Sequence, residues 1–225
     1  MNILYLDPYS DTSYSKRYLY YEGLYNSLIK TNNVSGLNIT IPYKSSVTPF
    51  LDFISEDAKE IGAVNTICFD NQRKIGYNTD IFGFSKSLEI NEINNIDSVL
   101  ILGSGGAAKT ISYFCINNNI PYNIVSRKPS NSYISYKSLN EKHFIKKVLI
   151  VNCTPVGTFP GIDRCPDLPY NLINKENVIF DLVYNPSETL LMKKGKERGC
   201  KTINGHEMLR FQAEKSLELW AETFK

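Results

Sequence analysis

The run Val99-Leu100-Ile101-Leu102 is apolar without a break, and Gly103-Ser104-Gly105-Gly106-Ala107-Ala108 follows it at once. A short strand with no polar face must be buried on both sides, which calls for a parallel sheet covered by helices. The next segment, residues 109–116, carries Ile111, Phe114 and Cys115 on one helical face, and Asn117-Asn118-Asn119 stops it. Tyr122-Asn123-Ile124-Val125 reads as a second strand. Strand, glycine turn, helix and strand in that order make a right-handed parallel crossover unit. Two further buried strands are expected at residues 148–151 and 178–180.

A glycine turn between a buried strand and a helix aims backbone N–H groups and the positive helix end at one point. The spacing Gly103-x-Gly105-Gly106-Ala107-Ala108 fits the dinucleotide turn in its variant ending in alanine. The second strand ends in Ser126-Arg127-Lys128, where an NAD-binding protein would place a carboxylate. Arg127 can make forked bonds to a 2′-phosphate and Lys128 adds a second cation. NADP is therefore the expected cofactor, a solvated basic turn being the alternative. Ligands in open α/β sheets sit at the carboxyl ends of strands. Asn152-Cys153-Thr154-Pro155-Val156-Gly157 and Asp181-Leu182-Val183-Tyr184-Asn185-Pro186 are placed to line that site.

Bulk properties narrow the class further. A length of 225 residues, 42% hydrophobic and 21% charged, suits a soluble globular protein. A net charge of +2 gives no support for a nucleic-acid or membrane-surface role. No apolar run approaches the roughly 18 residues of a membrane span, and the start shows no signal-peptide pattern. A cytoplasmic location is expected. Cys68, Cys115, Cys153, Cys165 and Cys200 are scattered, with no C-x-x-C pair, and read as reduced structural thiols. His143 and His206 are too few for a metal cluster, and no metal is expected.

The first 80 residues follow another pattern. Residues 3–6 can form a strand, and residues 18–29 a helix or a strand leading into one. Leu37-Asn38-Ile39-Thr40-Ile41 alternates and reads as a strand ended by Pro42. Residues 64–69 and 73–77 read as a hairpin turning at Asp70-Asn71-Gln72. Lys44 follows the strand and the proline, a rigid place suited to a proton-transferring lysine, although a surface lysine is the simpler alternative. Asp80 closes Gly76-Tyr77-Asn78-Thr79-Asp80 at the start of a helix, where Thr79 or Asp80 can also act as a cap. Asn65 and Gln212 are amides in largely apolar surroundings, each offering donor and acceptor to a polyol. His206 is expected to begin a helix, and residues 207–224 form an amphipathic pattern with Met208, Leu209, Phe211, Leu217, Leu219 and Trp220 as its apolar members.

In order, these segments resemble the shikimate dehydrogenase family. Gly36-Leu37-Asn38-Ile39-Thr40-Ile41-Pro42-Tyr43-Lys44 is similar to its G-x-N-V-T-x-P-x-K signature. Ile61-Gly62-Ala63-Val64-Asn65-Thr66 and Gly76-Tyr77-Asn78-Thr79-Asp80-Ile81-Phe82-Gly83 are similar to its G-A-V-N-T and G-x-N-T-D-x-x-G segments. The glycine loop, the Ser-Arg-Lys turn, the two strand-end segments and Asn204-Gly205-x-x-Met208-Leu209-x-x-Gln212 follow in family order.

The resemblance implies an α/β chain of two domains. Residues 1–80 with the C-terminal helix, 206–225, would form the α/β substrate domain, and 81–205 a Rossmann-like NADP domain. It implies NADPH-dependent reduction of 3-dehydroshikimate to shikimate in chorismate and aromatic amino acid biosynthesis. Lys44 and Asp80 become the catalytic residues, with Asp80 holding substrate hydroxyls and pairing with Lys44. Thr40, Asn65, Tyr184 and Gln212 become substrate-binding. Gly103, Ser104, Gly105, Gly106, Ala107, Ser126, Arg127, Lys128, Thr154, Leu182 and Gly205 become cofactor-binding, and Glu56 stands where some members touch cofactor. The partner implied is a small molecule, with neither nucleic acid nor membrane, in a monomer or homodimer.

Departures from the pattern lie mostly before Gly36. The family opens with a serine loop, S-x-S-P, that holds the substrate carboxylate, and the N-terminal part here is shorter by about one strand-helix unit, a spacing judgement. Ser13-Tyr14-Ser15 can be that loop, with Lys16 in place of the proline; in the other register residues 18–22 are the second strand and the loop is lost. Ser126 stands where the family usually has asparagine. A quinate or shikimate-type polyol dehydrogenase and a catalytically impaired NADP-binding relative are the alternative readings.

Overall fold

The computed structural model describes residues 36–70 and 73–222, and it divides the chain into two compact units. One holds the described residues up to Thr79 together with Ala213 onward; the other is Asp80–Gln212. The strands and helices expected before Gly36, and Ser13 and Ser15 with them, lie outside the described residues.

The first unit is built on a four-stranded sheet. Its strands are β1 (Gly36–Asn38), β2 (Phe53–Ile54), β3 (Thr66–Asp70) and β4 (Arg73–Tyr77), in the order β1-β3-β4-β2. The expected hairpin is present: β3 and β4 run antiparallel with Thr66 opposite Tyr77 and Asp70 opposite Arg73. The strand expected over residues 37–41 is shorter, pairing only as far as Asn38. Beyond it Ile39 N–H donates to the Asn65 carbonyl at 2.7 Å, and Tyr43 N–H donates back to Thr40. The chain therefore turns through Thr40-Ile41-Pro42-Tyr43, with a cis Ile41–Pro42 peptide, before alternation can continue.

Helix α1 (Glu56–Ile61) lies between β2 and β3. The Ser55 side chain caps it by accepting from Ala58 N, and Glu56 and Asp57 sit against its positive end. Leu37, Ile39, Ala58, Val64 and Ile67 form the small core of this unit.

Helix α2 (Asp80–Ile90) opens the second unit. Five parallel strands follow: β5 (Ser98–Leu102), β6 (Tyr122–Val125), β7 (Val148–Asn152), β8 (Val178–Asp181) and β9 (Lys201–Asn204), ordered β6-β5-β7-β8-β9. Helix α3 (Gly106–Asn117) joins β5 to β6, as the glycine loop predicts, and Asn118 and Asn119 end it, Asn119 at a φ of 53°. Alternation along the strands divides the core between the two faces of the sheet. Val99, Ile101, Leu149, Val151 and Phe180 pack with Phe84, Ile111 and Cys115. Leu100, Leu102, Ile150 and Ile179 pack with Phe144 and Leu191. Phe84 stacks on Phe180 at 5.3 Å and meets Phe114 edge-on at 5.1 Å. Each such side chain contributes about 1.5–3 kcal/mol by leaving water.

Helix α4 (Leu190–Glu197) also belongs to this unit. The short helix expected near residues 139–144 appears as 3-10 turns at Tyr136–Ser138 and Glu141–His143. Helix α5 (His206–Glu222) begins at His206 as expected. Its apolar pattern is corrected in part: Met208, Phe211 and Trp220 are buried, whereas Leu209 and Leu217 are among the exposed hydrophobic residues. Near its end, Trp220 Nε1–H donates to the Ile67 carbonyl at 3.0 Å, which fastens this part of the helix to β3 within the first unit.

None of the five cysteines is in a disulfide. Burial pushes the Cys68 and Cys115 thiols up to about 12 and Cys200 to about 11, as expected of packing residues. Among the described residues no helix is long and apolar enough to cross a membrane.

The two-faced core makes a measurable contrast. Ile101 is fully buried and Ile145 is 58% exposed. Ile101→Ala is expected to cost about 2–5 kcal/mol in urea unfolding, and Ile145→Ala no more than about 0.5 kcal/mol. Similar costs for the two would contradict the placement of the sheet.

Candidate active site

The strand order places a topological switch between β5 and β7, since the chain leaves β5 for β6 on one side and later returns to β7 on the other. A ligand crevice is expected outside the carboxyl ends of strands at such a point. Gly103 follows β5 with a φ of +105°, which favours glycine, and an added Cβ would stand 2.9 Å from Thr154 Cγ2. Two of the residues expected at the cofactor, Gly103 and Thr154, thus meet at the switch.

Gly105 caps α3 without any side-chain hydrogen bond, and no acidic residue lies in the first turn. A Cβ on Gly105 would meet nothing within 4 Å, so the space over the helix end is open on this side. Bare N–H donors at a positive helix end, with room above them, fit the pyrophosphate of a dinucleotide. Ser126 is buried, takes the Lys128 N–H on its hydroxyl at 3.2 Å, and donates its own N–H to Ile134. That turn leaves Arg127 and Lys128 exposed. The residues present suit NADP. A third contact of the expected set is also close: a Cβ on Gly205 would collide with the Leu182 carbonyl oxygen, and Gly205 N–H donates to Val183.

A buried polar network underlies these loops. Asn152 Oδ1 accepts from Thr154 N and Oγ1 at 3.1 and 2.6 Å, while Asn152 Nδ2 donates to Asp181 Oδ1 at 2.8 Å. Asp181 also accepts from Thr189 Oγ1 at 2.6 Å and Val183 N at 3.1 Å. One carboxylate at the end of β8 therefore holds both strand-end segments. Tyr184, three residues on, is 48% exposed. Sequence reasoning assigned no role to Asn152, Asp181 or Thr189 individually; the signal was a polar residue at the same place on two neighbouring apolar strands.

In the first unit, backbone bonds gather Thr40, Lys44 and Asn65. Val64 N–H donates to the Lys44 carbonyl at 2.7 Å, next to Asn65, and the Asn65 carbonyl accepts from Ile39, next to Thr40. Lys44 and Thr40 are half-buried. The surroundings of Asn65 are corrected: they are polar. Its Oδ1 accepts from Thr79 N at 2.7 Å, its Nδ2 donates to Thr79 Oγ1 at 2.9 Å, and the Thr66 hydroxyl lies 3.1 Å from Oδ1. Ser216, which sequence reasoning missed, joins the same cluster. A small polar residue four positions before a buried tryptophan was the available signal.

In the second unit, Asp80 is the first residue of α2 and is 5% exposed. An added Cβ on Gly83, one turn later, would stand 3.1 Å from Gln212 N and Cβ, so α2 and this part of α5 touch where Gln212 sits. Gln212 Nε2 donates to the Leu209 carbonyl at 3.0 Å. Glu56 is the first residue of α1. Among the described residues no group of three or more His, Cys, Asp and Glu side chains could hold a metal ion.

Burial raises the Asp181 carboxyl above its ordinary range, and the bonds from Thr189, Val183 and Asn152 offset this only in part. A carboxyl raised in the folded state holds its proton more tightly there than in the unfolded chain. Its stabilising contribution is full below the unfolded value, roughly pH 3.9, and is lost as pH rises through the folded value. Asp181→Asn abolishes that loss, so the variant's urea midpoint relative to the wild type is expected to climb as pH rises from roughly 4. A constant offset across pH would contradict the assignment.

The sequence matches known proteins over most of its length. A profile of the shikimate dehydrogenase substrate binding domain matches residues 21–67. A Clostridium beijerinckii protein named shikimate dehydrogenase (NADP(+)) is 42% identical over 202 residues, 86% of this chain and 74% of that protein. The crystal structure of shikimate dehydrogenase 1 from Peptoclostridium difficile superposes with a TM-score of 0.79 at 36% identity, covering 90% of this chain and 77% of that one. Shikimate 5-dehydrogenase from Thermus thermophilus, solved in complex with NADP(H) and shikimate, gives a TM-score of 0.78 at 30% identity, covering 88% and 78%. The chain belongs to the shikimate dehydrogenase family.

Proposed function

We propose that this chain reduces 3-dehydroshikimate to shikimate reversibly with NADPH, in the pathway to chorismate and the aromatic amino acids. The observation that carries the reading is the gathering of Thr40, Lys44 and Asn65 by the backbone bonds of one small sheet. Relatives that bear the activity in their names match over most of their length.

NADPH, when bound, supplies the hydride. Gly103 to Ala107 would hold its pyrophosphate, and Ser126, Arg127 and Lys128 its 2′-phosphate, by charge and forked hydrogen bonds. Thr154, Leu182 and Gly205 would complete the cofactor site. Thr40, Asn65, Tyr184 and Gln212 would bind the ring hydroxyls, each amide offering both donor and acceptor. Ser13 and Ser15 would take the carboxylate.

The chemistry left to the protein is one proton and one charge. Reduction of a ketone builds negative charge on its oxygen. The Lys44 ammonium stabilises that charge and gives the oxygen its proton; in the reverse direction the amine takes the proton back. Asp80 would hold a substrate hydroxyl. The reading also places the enzyme in the cytoplasm as a monomer or homodimer.

Lys44→Ala is the direct test of this mechanism. It is expected to lower kcat by roughly 10²–10⁴-fold, the usual worth of a positioned acid–base group. Shikimate and NADP binding, measured by calorimetry, should stay close to wild type. Retained turnover in the variant would remove Lys44 from the mechanism.

A further inference from the structure

The side chain of Thr154 has a polar and an apolar branch, and each has its own neighbour. The hydroxyl lies 2.6 Å from Asn152 Oδ1 and accepts the Val156 N–H at 3.3 Å. The methyl carbon Cγ2 is the atom turned to the glycine loop, where a Cβ on Gly103 would stand 2.9 Å from it.

The proton in the short bond belongs to Thr154. Asn152 is fully buried, its Oδ1 also accepts the Thr154 N–H at 3.1 Å, and its Nδ2 donates to the Asp181 carboxylate at 2.8 Å. The oxygen end of the amide is therefore the end that faces Thr154, and an amide oxygen has no proton to give. The Thr154 hydroxyl has its one proton committed inward and cannot also donate to a ligand. A phosphate oxygen needs a donor. The Thr154 side chain is thus unsuited to a pyrophosphate, which falls to the bare N–H groups at the start of α3.

Place in the sheet indicates which part of a dinucleotide is left for it. In this type of sheet the two nucleotide halves lie on either side of the switch point. Arg127 and Lys128 follow β6 and suit the 2′-phosphate, which belongs to the adenosine half; Thr154 follows β7, on the opposite side of β5. We propose that Thr154 is an apolar contact for the nicotinamide half of NADP, meeting it with the Cγ2 methyl while its hydroxyl holds the loop after β7. The proposal rests on the reading that Thr154 and Arg127 line the cofactor site.

The test separates the two branches by substitution. Thr154→Ser keeps the hydroxyl and removes the methyl; Thr154→Val keeps the methyl and removes the hydroxyl. Calorimetric titration with NADP is expected to give Thr154→Ser a Kd raised roughly three- to fivefold, the worth of one buried methyl, and Thr154→Val a Kd within about twofold of wild type. Adenosine 2′,5′-bisphosphate, which lacks the nicotinamide half, should bind all three proteins alike. Urea unfolding should show the reverse order, with the midpoint lowered more in Thr154→Val, whose Val156 N–H loses its acceptor, than in Thr154→Ser. Weaker NADP binding by Thr154→Val than by Thr154→Ser would overturn the proposal, as would an equal loss of affinity for adenosine 2′,5′-bisphosphate in Thr154→Ser. If Thr154→Val does not fold, Thr154→Ser decides alone, and an unchanged Kd for NADP overturns the proposal. A wild-type chain that binds no NADP would overturn the cofactor reading, and this proposal with it.

Discussion

Asn65 is held from four sides. Its N–H donates to Tyr77, its carbonyl accepts from Ile39, its Oδ1 accepts from Thr79 N–H and its Nδ2 donates to Thr79 Oγ1. Two of these bonds belong to the backbone of the sheet and two to a side chain that is only 2% exposed. The consequence reaches in both chain directions. The Ile39 bond ends β1 and delivers the turn that leads to Lys44, and the Thr79 bond fixes the backbone just before Asp80. A residue proposed to bind substrate is, in the fold, the joint on which neighbouring segments are set. A half-satisfied buried amide costs more than an exposed one, so the arrangement is held firmly.

The second unit solves a different problem with similar means. Five parallel strands bury apolar side chains on both faces, and this leaves function to their carboxyl ends. Gly103 and Thr154 touch there, at the point where the strand order reverses. Asp181 crosses from β8 to Asn152 of β7 and to Thr189, tying the segments that carry Thr154 and Tyr184. A buried carboxylate is a costly tie, as the upward displacement of its proton affinity shows. What it secures is the geometry of the two strand-end loops.

Legibility in the sequence followed the physical strength of each signal. The unbroken run Val99-Leu100-Ile101-Leu102 and its glycines were unmistakable, because a strand buried on both faces admits no polar residue and the turn needs a positive φ at Gly103. The hairpin at β3 and β4 was legible from its β-branched residues and polar turn. Strand β9 was not: Lys201, Thr202, Ile203 and Asn204 carry one buried apolar residue, and pairing with β8 makes them a strand. The early end of β1 was hidden for a related reason. Alternation continues through Ile39 and Ile41, but the Asn65 carbonyl takes the next N–H and the turn begins. Short motifs marked the residues proposed to touch ligands. Ser216, Asn152 and Thr189 work through other side chains, and only three-dimensional proximity exposes them.

The central claim is an enzymatic one, and the wild-type chain can answer it alone. Purified protein mixed with NADPH and 3-dehydroshikimate should consume NADPH and release shikimate in equal amounts. NADH at the same concentration should support a much slower reaction, because the 2′-phosphate that Arg127 and Lys128 are proposed to hold is then missing. Binding of NADPH without consumption, on addition of 3-dehydroshikimate, would contradict the account.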